Sequence, residues 1–90
     1  MKLAICEDNP SHYEIIHTIL QKYPPGAFEI THFTSGDEFL RAVAENGCPY
    51  PIVLTDIDLG SDTVNGISLA EKINHISPDT QIIFISQYLQ

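Results

Sequence analysis

Pro51-Ile52-Val53-Leu54-Thr55-Asp56 is a nearly continuous apolar run that breaks on a carboxylate. A run this short without polar alternation predicts a strand covered by helices on both faces, the environment of a parallel sheet. Lys2-Leu3-Ala4-Ile5-Cys6 has the same character and runs into Glu7-Asp8. If the two strands lie parallel and adjacent, their carboxylates converge at one end of the sheet. Like charges a few ångströms apart repel, so the arrangement calls for a cation or a shared proton between them. A hard divalent ion held by oxygen ligands fits that need.

Outward from these two strands, helix and strand patterns alternate. Asn9-Pro10 supplies a cap followed by proline at the first helical position. Ile15, Ile16, Ile19, Leu20 and Tyr23 then give an apolar face, and Pro24-Pro25-Gly26 stops the helix. Residues 28–33 alternate in polarity, which suits an edge strand. Ser35-Gly36-Asp37-Glu38 is a capping box, with Phe39, Leu40 and Val43 as the buried stripe of the next helix. After the strand ending at Asp56 comes an irregular loop over 57–65. A helix follows from about Gly66 to Ile76, with Ile67, Leu69, Ala70, Ile73 and Ile76 as its apolar positions. Gln81-Ile82-Ile83-Phe84-Ile85-Ser86 reads as a fourth strand, interior to its sheet. The βαβαβαβ order predicts an α/β, doubly wound parallel sheet with right-handed crossovers. Ligands of such sheets sit beyond the carboxyl ends of the strands, where Glu7, Asp8, Asp56 and Ser86 all fall.

Composition narrows the function classes. Ninety residues make one domain or part of one. The net charge is −8, and only Lys2, Lys22, Arg41 and Lys72 are basic, which argues against direct nucleic-acid binding by this segment. No apolar run approaches the ~18–20 residues that span a membrane, and Glu7-Asp8 cuts short any secretory signal. Cys6 and Cys48 are too few for a disulfide framework and read as reduced thiols of a cytoplasmic protein. His12, His17, His32 and His75 have neither metal-motif spacing nor a paired cysteine, and read as structural or surface residues. Asn9 reads as a helix cap rather than a phosphate contact.

With these residues in view, the chain resembles the receiver domain of bacterial response regulators, whose flavodoxin-like sheet has the order 2-1-3-4-5. That family has an acidic pair after strand one, an Asp after strand three, a Ser or Thr after strand four and a Lys after strand five. Ala4-Ile5-Cys6-Glu7-Asp8-Asn9, Leu54-Thr55-Asp56-Ile57-Asp58-Leu59 and Asn65-Gly66-Ile67-Ser68-Leu69-Ala70 are especially similar to AgrA-like regulators that carry a LytTR-type DNA-binding domain.

The resemblance implies that Asp56 accepts a phosphoryl group from a sensor histidine kinase. It implies that Glu7, Asp8 and Asp56 hold Mg²⁺ together with the backbone carbonyl of Asp58, and that Ser86 hydrogen-bonds a phosphoryl oxygen. The side chains of Asp58 and Asp62 are expected to be solvated. It further implies a cytoplasmic signalling protein rather than an enzyme with turnover, catalysing only its own phosphorylation and dephosphorylation. Its output is the activity of a transcriptional regulator.

Departures from the family pattern are visible. The loop from Asp56 to Gly66 is longer than in the commonest members and has Gly60 and Ser61 in place of their usual proline. Gln87 stands after Ser86 where a small residue is usual. Residues 1–90 are read as the N-terminal portion of a receiver, order 2-1-3-4, with the fifth βα unit and any effector domain outside the chain. An apolar fourth strand left at an edge pairs with other chains, so a homodimer or swapped oligomer through that edge is expected.

Two other readings compete. Asp56-Ile57-Asp58 after an apolar strand also resembles the first motif of haloacid-dehalogenase-type phosphohydrolases, although Glu7 and Asp8 then have no role. A degenerate receiver serving only as an interaction module is the other.

Overall fold

In the computed structural model, residues 1–56 and 66–85 are described. Four strands, β1 (Lys2–Cys6), β2 (Glu29–Phe33), β3 (Ile52–Asp56) and β4 (Gln81–Ile85), alternate with three helices, α1 (Pro10–Leu20), α2 (Gly36–Asn46) and α3 (Gly66–Ile76). The strands form one parallel sheet in the order β2-β1-β3-β4. This is the doubly wound order expected from the sequence. The chain leaves β1 in one direction to make β2 and returns past it to make β3. The switch point therefore lies at the carboxyl ends of β1 and β3.

Alternation along the strands divides the core in two. Leu3, Ile5 and Leu54 pack with Ile16 of α1 and with the half-buried Tyr13, Leu20 and Ile30. Ala4, Cys6 and Val53 pack on the other face with Phe39 and Val43 of α2 and Leu69 and Ile73 of α3. Phe39 is fully buried and meets Phe33 edge-on, with ring centroids 5.0 Å apart at 83°.

α1 and α2 start where their capping residues place them. The Asn9 Oδ1 accepts from the amides of Ser11 (2.9 Å) and His12 (3.2 Å), with Pro10 in the first turn of α1. Ser35 Oγ accepts from the Glu38 amide at 3.0 Å to open α2. Gly26 and Gly47 adopt φ of +83° and +79° in the turns that follow α1 and α2, a region that L side chains resist.

Two expectations about packing are corrected. Ile15, Ile19 and Tyr23 do not face the core; each is about half exposed. Tyr13, Ile16 and Leu20, spaced i, i+3, i+7, form the stripe that meets the sheet, and a helix turned to bury them must turn Ile15 and Ile19 outward. In α3 the same geometry buries Leu69 and Ile73 and leaves Ile67 and Ile76 exposed. Among the described residues β4 is an edge of the sheet, the place that the expected order 2-1-3-4 gives it, with Ile83 and Phe84 exposed.

Phe39→Ala is expected to cost about 3–5 kcal/mol, because it removes a buried ring and leaves a cavity. Ile19→Ala on the outer face of α1 is expected to stay within about 0.5 kcal/mol. Urea unfolding monitored by circular dichroism measures both, and equal costs would contradict the division of α1 into an inner and an outer face.

Candidate functional site

Register and parity bring the site together. β1 and β3 pair Leu3 with Ile52, Ala4 with Val53, Ile5 with Leu54 and Cys6 with Thr55. One further step sets Glu7 beside Asp56. Glu7 continues the alternation of Leu3 and Ile5, and Asp56 continues that of Ile52 and Leu54, so both belong to the face that α1 covers. Both are buried, at 3% and 6% exposure, whereas Asp8 is exposed at the rim.

The turn from β1 into α1 fixes the rest. The Asn9 amide donates to Glu7 Oε2 at 3.2 Å, while the Asn9 side chain caps α1. That short connection places the first turn of α1 over the carboxylates. His12 Nδ1 lies 3.7 Å from Glu7 Oε1, and donor atoms of Glu7, His12 and Asp56 all lie within 4.8 Å of one another. Behind them, the Glu7 amide donates to the Phe33 carbonyl at 3.0 Å. His32 Nε2 donates to the Glu7 carbonyl at 2.8 Å, with its ring stacked on Tyr13 at a centroid distance of 3.7 Å. Glu7 is thus held at its amide, its carbonyl and one carboxylate oxygen.

The electrostatics follow from this placement. Burial raises the Glu7 carboxyl above its ordinary range. The Asn9 amide opposes the rise, the charge of Asp56 and hydrogen bonding with Asp8 add to it, and His12 draws it down. Without a cation, a proton held at Glu7 relieves the crowding of negative charge. A divalent ion relieves it better, because it lets both carboxylates ionise while taking their oxygens as ligands. Glu7 and Asp56 offer the oxygens and His12 offers a nitrogen.

Of the acidic groups expected to meet, Glu7 and Asp56 do so, with His12 beside them, while Asp8 is exposed at the rim and is not part of that cluster. Asp58 and Ser86 lie outside the described residues. Asn9 is a helix cap, as expected. His32 packs as a structural residue, and His12, expected to be structural or at the surface, lies part-exposed beside two buried carboxylates. Its place beside two buried carboxylates was hidden because its partners come from a different strand and turn, at no metal-motif spacing. The available signal was its position three residues after the cap of the helix that starts directly beyond Glu7-Asp8. Cys6 and Cys48 are free thiols, and burial first, with the charges of Glu38 and Cys48, pushes the Cys6 thiol up to about 12. That places Cys6 among inert core residues.

The raised Glu7 carboxyl predicts a stability effect with a definite sign. The folded chain holds this proton to higher pH than the unfolded chain does. Its contribution is fully present below the ordinary carboxylate range and is lost as pH rises through the raised value. In chelator at about pH 7, Glu7→Gln is expected to raise the melting temperature by several degrees, a shift that ~1 kcal/mol produces in a domain of this size. The gain is expected to shrink near pH 4, where the wild-type carboxyl is itself largely protonated. Thermal melts at the two pH values check this, and a Glu7→Gln variant that is less stable at neutral pH would refute it.

Comparison with known proteins agrees with this architecture. The family described as the response regulator receiver domain matches residues 3–90. Over 87 residues the chain is 28% identical to the response regulator receiver protein CpdR of Brucella abortus, covering 97% of this chain and 67% of that protein. Over 91 residues it is 32% identical to accessory gene regulator protein A of Staphylococcus aureus, covering 98% of this chain but only 38% of that protein. A solved receiver domain protein from Clostridium thermocellum superposes with a TM-score of 0.75 at 22% identity, over 94% of this chain and 64% of that one, which speaks to the fold alone.

Proposed function

The chain belongs to the response regulator receiver domain family, and from that premise we propose that it is a phospho-acceptor switch of a two-component system with Asp56 as the acceptor. The observation that carries this reading is the meeting of Glu7 and Asp56 from separate strand ends under the first turn of α1. A sensor histidine kinase is the donor. An Asp56 carboxylate oxygen attacks the phosphorus of the kinase phosphohistidine, the P–N bond breaks as the P–O bond forms, and the freed imidazole takes up a proton. The product is an acyl phosphate on Asp56.

The acidic pocket suits Mg²⁺, held by Glu7, Asp8 and Asp56 with the backbone carbonyl of Asp58. When bound, the ion neutralises charge spread over the transferring oxygens. The chain itself orients the acceptor. Buried at a strand end, Asp56 has little freedom to lose, and Glu7 is fixed by the Asn9 amide. Ser86 hydrogen-bonds a phosphoryl oxygen of the modified state, which favours another arrangement of the nearby loops. On this reading the protein is not a turnover enzyme; it catalyses only its own phosphorylation and dephosphorylation. A haloacid-dehalogenase-like role leaves the buried Glu7 without a purpose.

The output is control of a LytTR-type transcriptional regulator in the cytoplasm. Similarity to accessory gene regulator protein A supports it. No helix among the described residues is long and apolar enough to cross a membrane. The exposed Ile83 and Phe84 on β4 suit self-association through that edge.

Incubation of the chain with Mg²⁺ and acetyl phosphate is expected to add one phosphoryl group by intact-mass spectrometry. Asp56→Asn is expected to abolish the addition. Labelling that persists in Asp56→Asn would reject Asp56 as the acceptor.

A further inference from the structure

Glu7 presents its two carboxylate oxygens to different partners. Oε2 is held by the Asn9 amide at 3.2 Å, while Oε1 faces His12 Nδ1 at 3.7 Å, too far for a hydrogen bond. The imidazole therefore approaches the carboxylate without bonding to it. Asp56 closes the third side, with donor atoms of all three residues inside 4.8 Å. Two donors each about 2.1 Å from one tetrahedral ion stand ~3.4 Å apart, so the His12–Glu7 span needs to close by only a few tenths of an ångström.

The backbone prepares this geometry. Asn9 simultaneously caps α1 and fixes Glu7, so the helix turn that carries His12 and the carboxylate it faces are positioned by one residue. Bonds of this kind from outside the ligand set are what orient metal ligands. His12 retains 26% side-chain exposure, leaving the pocket open to an entering ion.

We propose that His12, Glu7 and Asp56 form a mixed nitrogen–oxygen centre that takes a first-row transition ion of the Zn²⁺ type through direct ligation by His12 Nδ1. Three protein ligands with a position left open suit Zn²⁺. Imidazole favours such ions, whereas Mg²⁺ prefers oxygen alone. Because the centre shares Glu7 and Asp56 with the Mg²⁺ site of the proposed function, Zn²⁺ displaces the Mg²⁺ that supports phosphorylation, and labelling falls as Zn²⁺ loads. This last consequence rests on Asp56 being the phospho-acceptor; the ligation does not.

The test compares wild-type chain with His12→Ala, a part-exposed position outside the two core clusters. Isothermal titration calorimetry with Zn²⁺ and with Mg²⁺ gives both affinities, and ¹⁵N spectra of the imidazoles report which ring nitrogen meets Zn²⁺. His12→Ala is expected to weaken Zn²⁺ binding at least ~10-fold, the scale reached even by losing a group that merely supports a ligand. Mg²⁺ affinity is expected to change less than about twofold. His12 Nδ1 is expected to shift with Zn²⁺ while His17 and His75 serve as internal controls.

Zn²⁺ affinity indifferent to His12→Ala, equal weakening of both ions, or an Nδ1 resonance unmoved by Zn²⁺ would overturn the proposal. In a second arm, acetyl phosphate labelling in Mg²⁺ is expected to fall on addition of Zn²⁺ in the wild type and to resist it in His12→Ala. If labelling is absent even without Zn²⁺, the acceptor reading fails, and the binding data still decide whether His12 is a ligand.

Discussion

Repulsion between carboxylates that the sheet forces together is the constraint on which the rest of this molecule depends. Glu7 and Asp56 are far apart in sequence and adjacent in space because β1 and β3 pair in parallel with Cys6 opposite Thr55. A one-residue slip in that register would turn the alternation over and send one carboxylate to the α2 and α3 face. The separate packing of Leu3, Ile5 and Leu54 against α1 and of Ala4, Cys6 and Val53 against α2 and α3 opposes such a slip. The hydrophobic core thus holds the acidic pocket closed against its own electrostatics.

The remainder of the site manages that tension. The Asn9 amide stabilises the Glu7 charge, while burial, Asp56 and Asp8 oppose it. Phe33 and His32 grip the Glu7 backbone from β2. With the surrounding bonds in place, Glu7 is held rigidly beside Asp56 rather than as one of a group of flexible acids. Glu7, Asp56 and the first turn of α1 share one small volume, so on the proposed function a change at Asp56 acts directly on both strand ends and on the helix.

Much of this was legible in the residues, and the reasons are physical. Short apolar runs ending in carboxylates identified β1 and β3, and the two caps, Asn9 and Ser35, marked where α1 and α2 begin, because each supplies an oxygen to amides that would otherwise lack a partner. The faces of the helices were read less well. Ile15, Ile19 and Tyr23 have the apolar character of core residues yet point outward, since periodicity identifies an amphipathic stripe but does not set the rotation of the helix on its sheet when two adjacent stripes are both apolar. The place of His12 beside Glu7 and Asp56 was not legible at all, because it comes from a tertiary meeting of a strand end and a helix turn, which no local spacing encodes. β4 has the apolar sequence of an interior strand, and its place at the edge of the described sheet follows from the strand order rather than from its own residues.

The central claim is that Glu7 and Asp56 repel each other across β1 and β3 in the metal-free fold. A double-mutant cycle with Glu7→Gln, Asp56→Asn and the pair, read from unfolding free energies in chelator at neutral pH, measures that coupling directly. The account predicts that the double variant gains clearly less stability than the two single gains combined, because either substitution alone already removes the shared repulsion. Additivity within about 0.3–0.5 kcal/mol, the behaviour of independent sites, would contradict it.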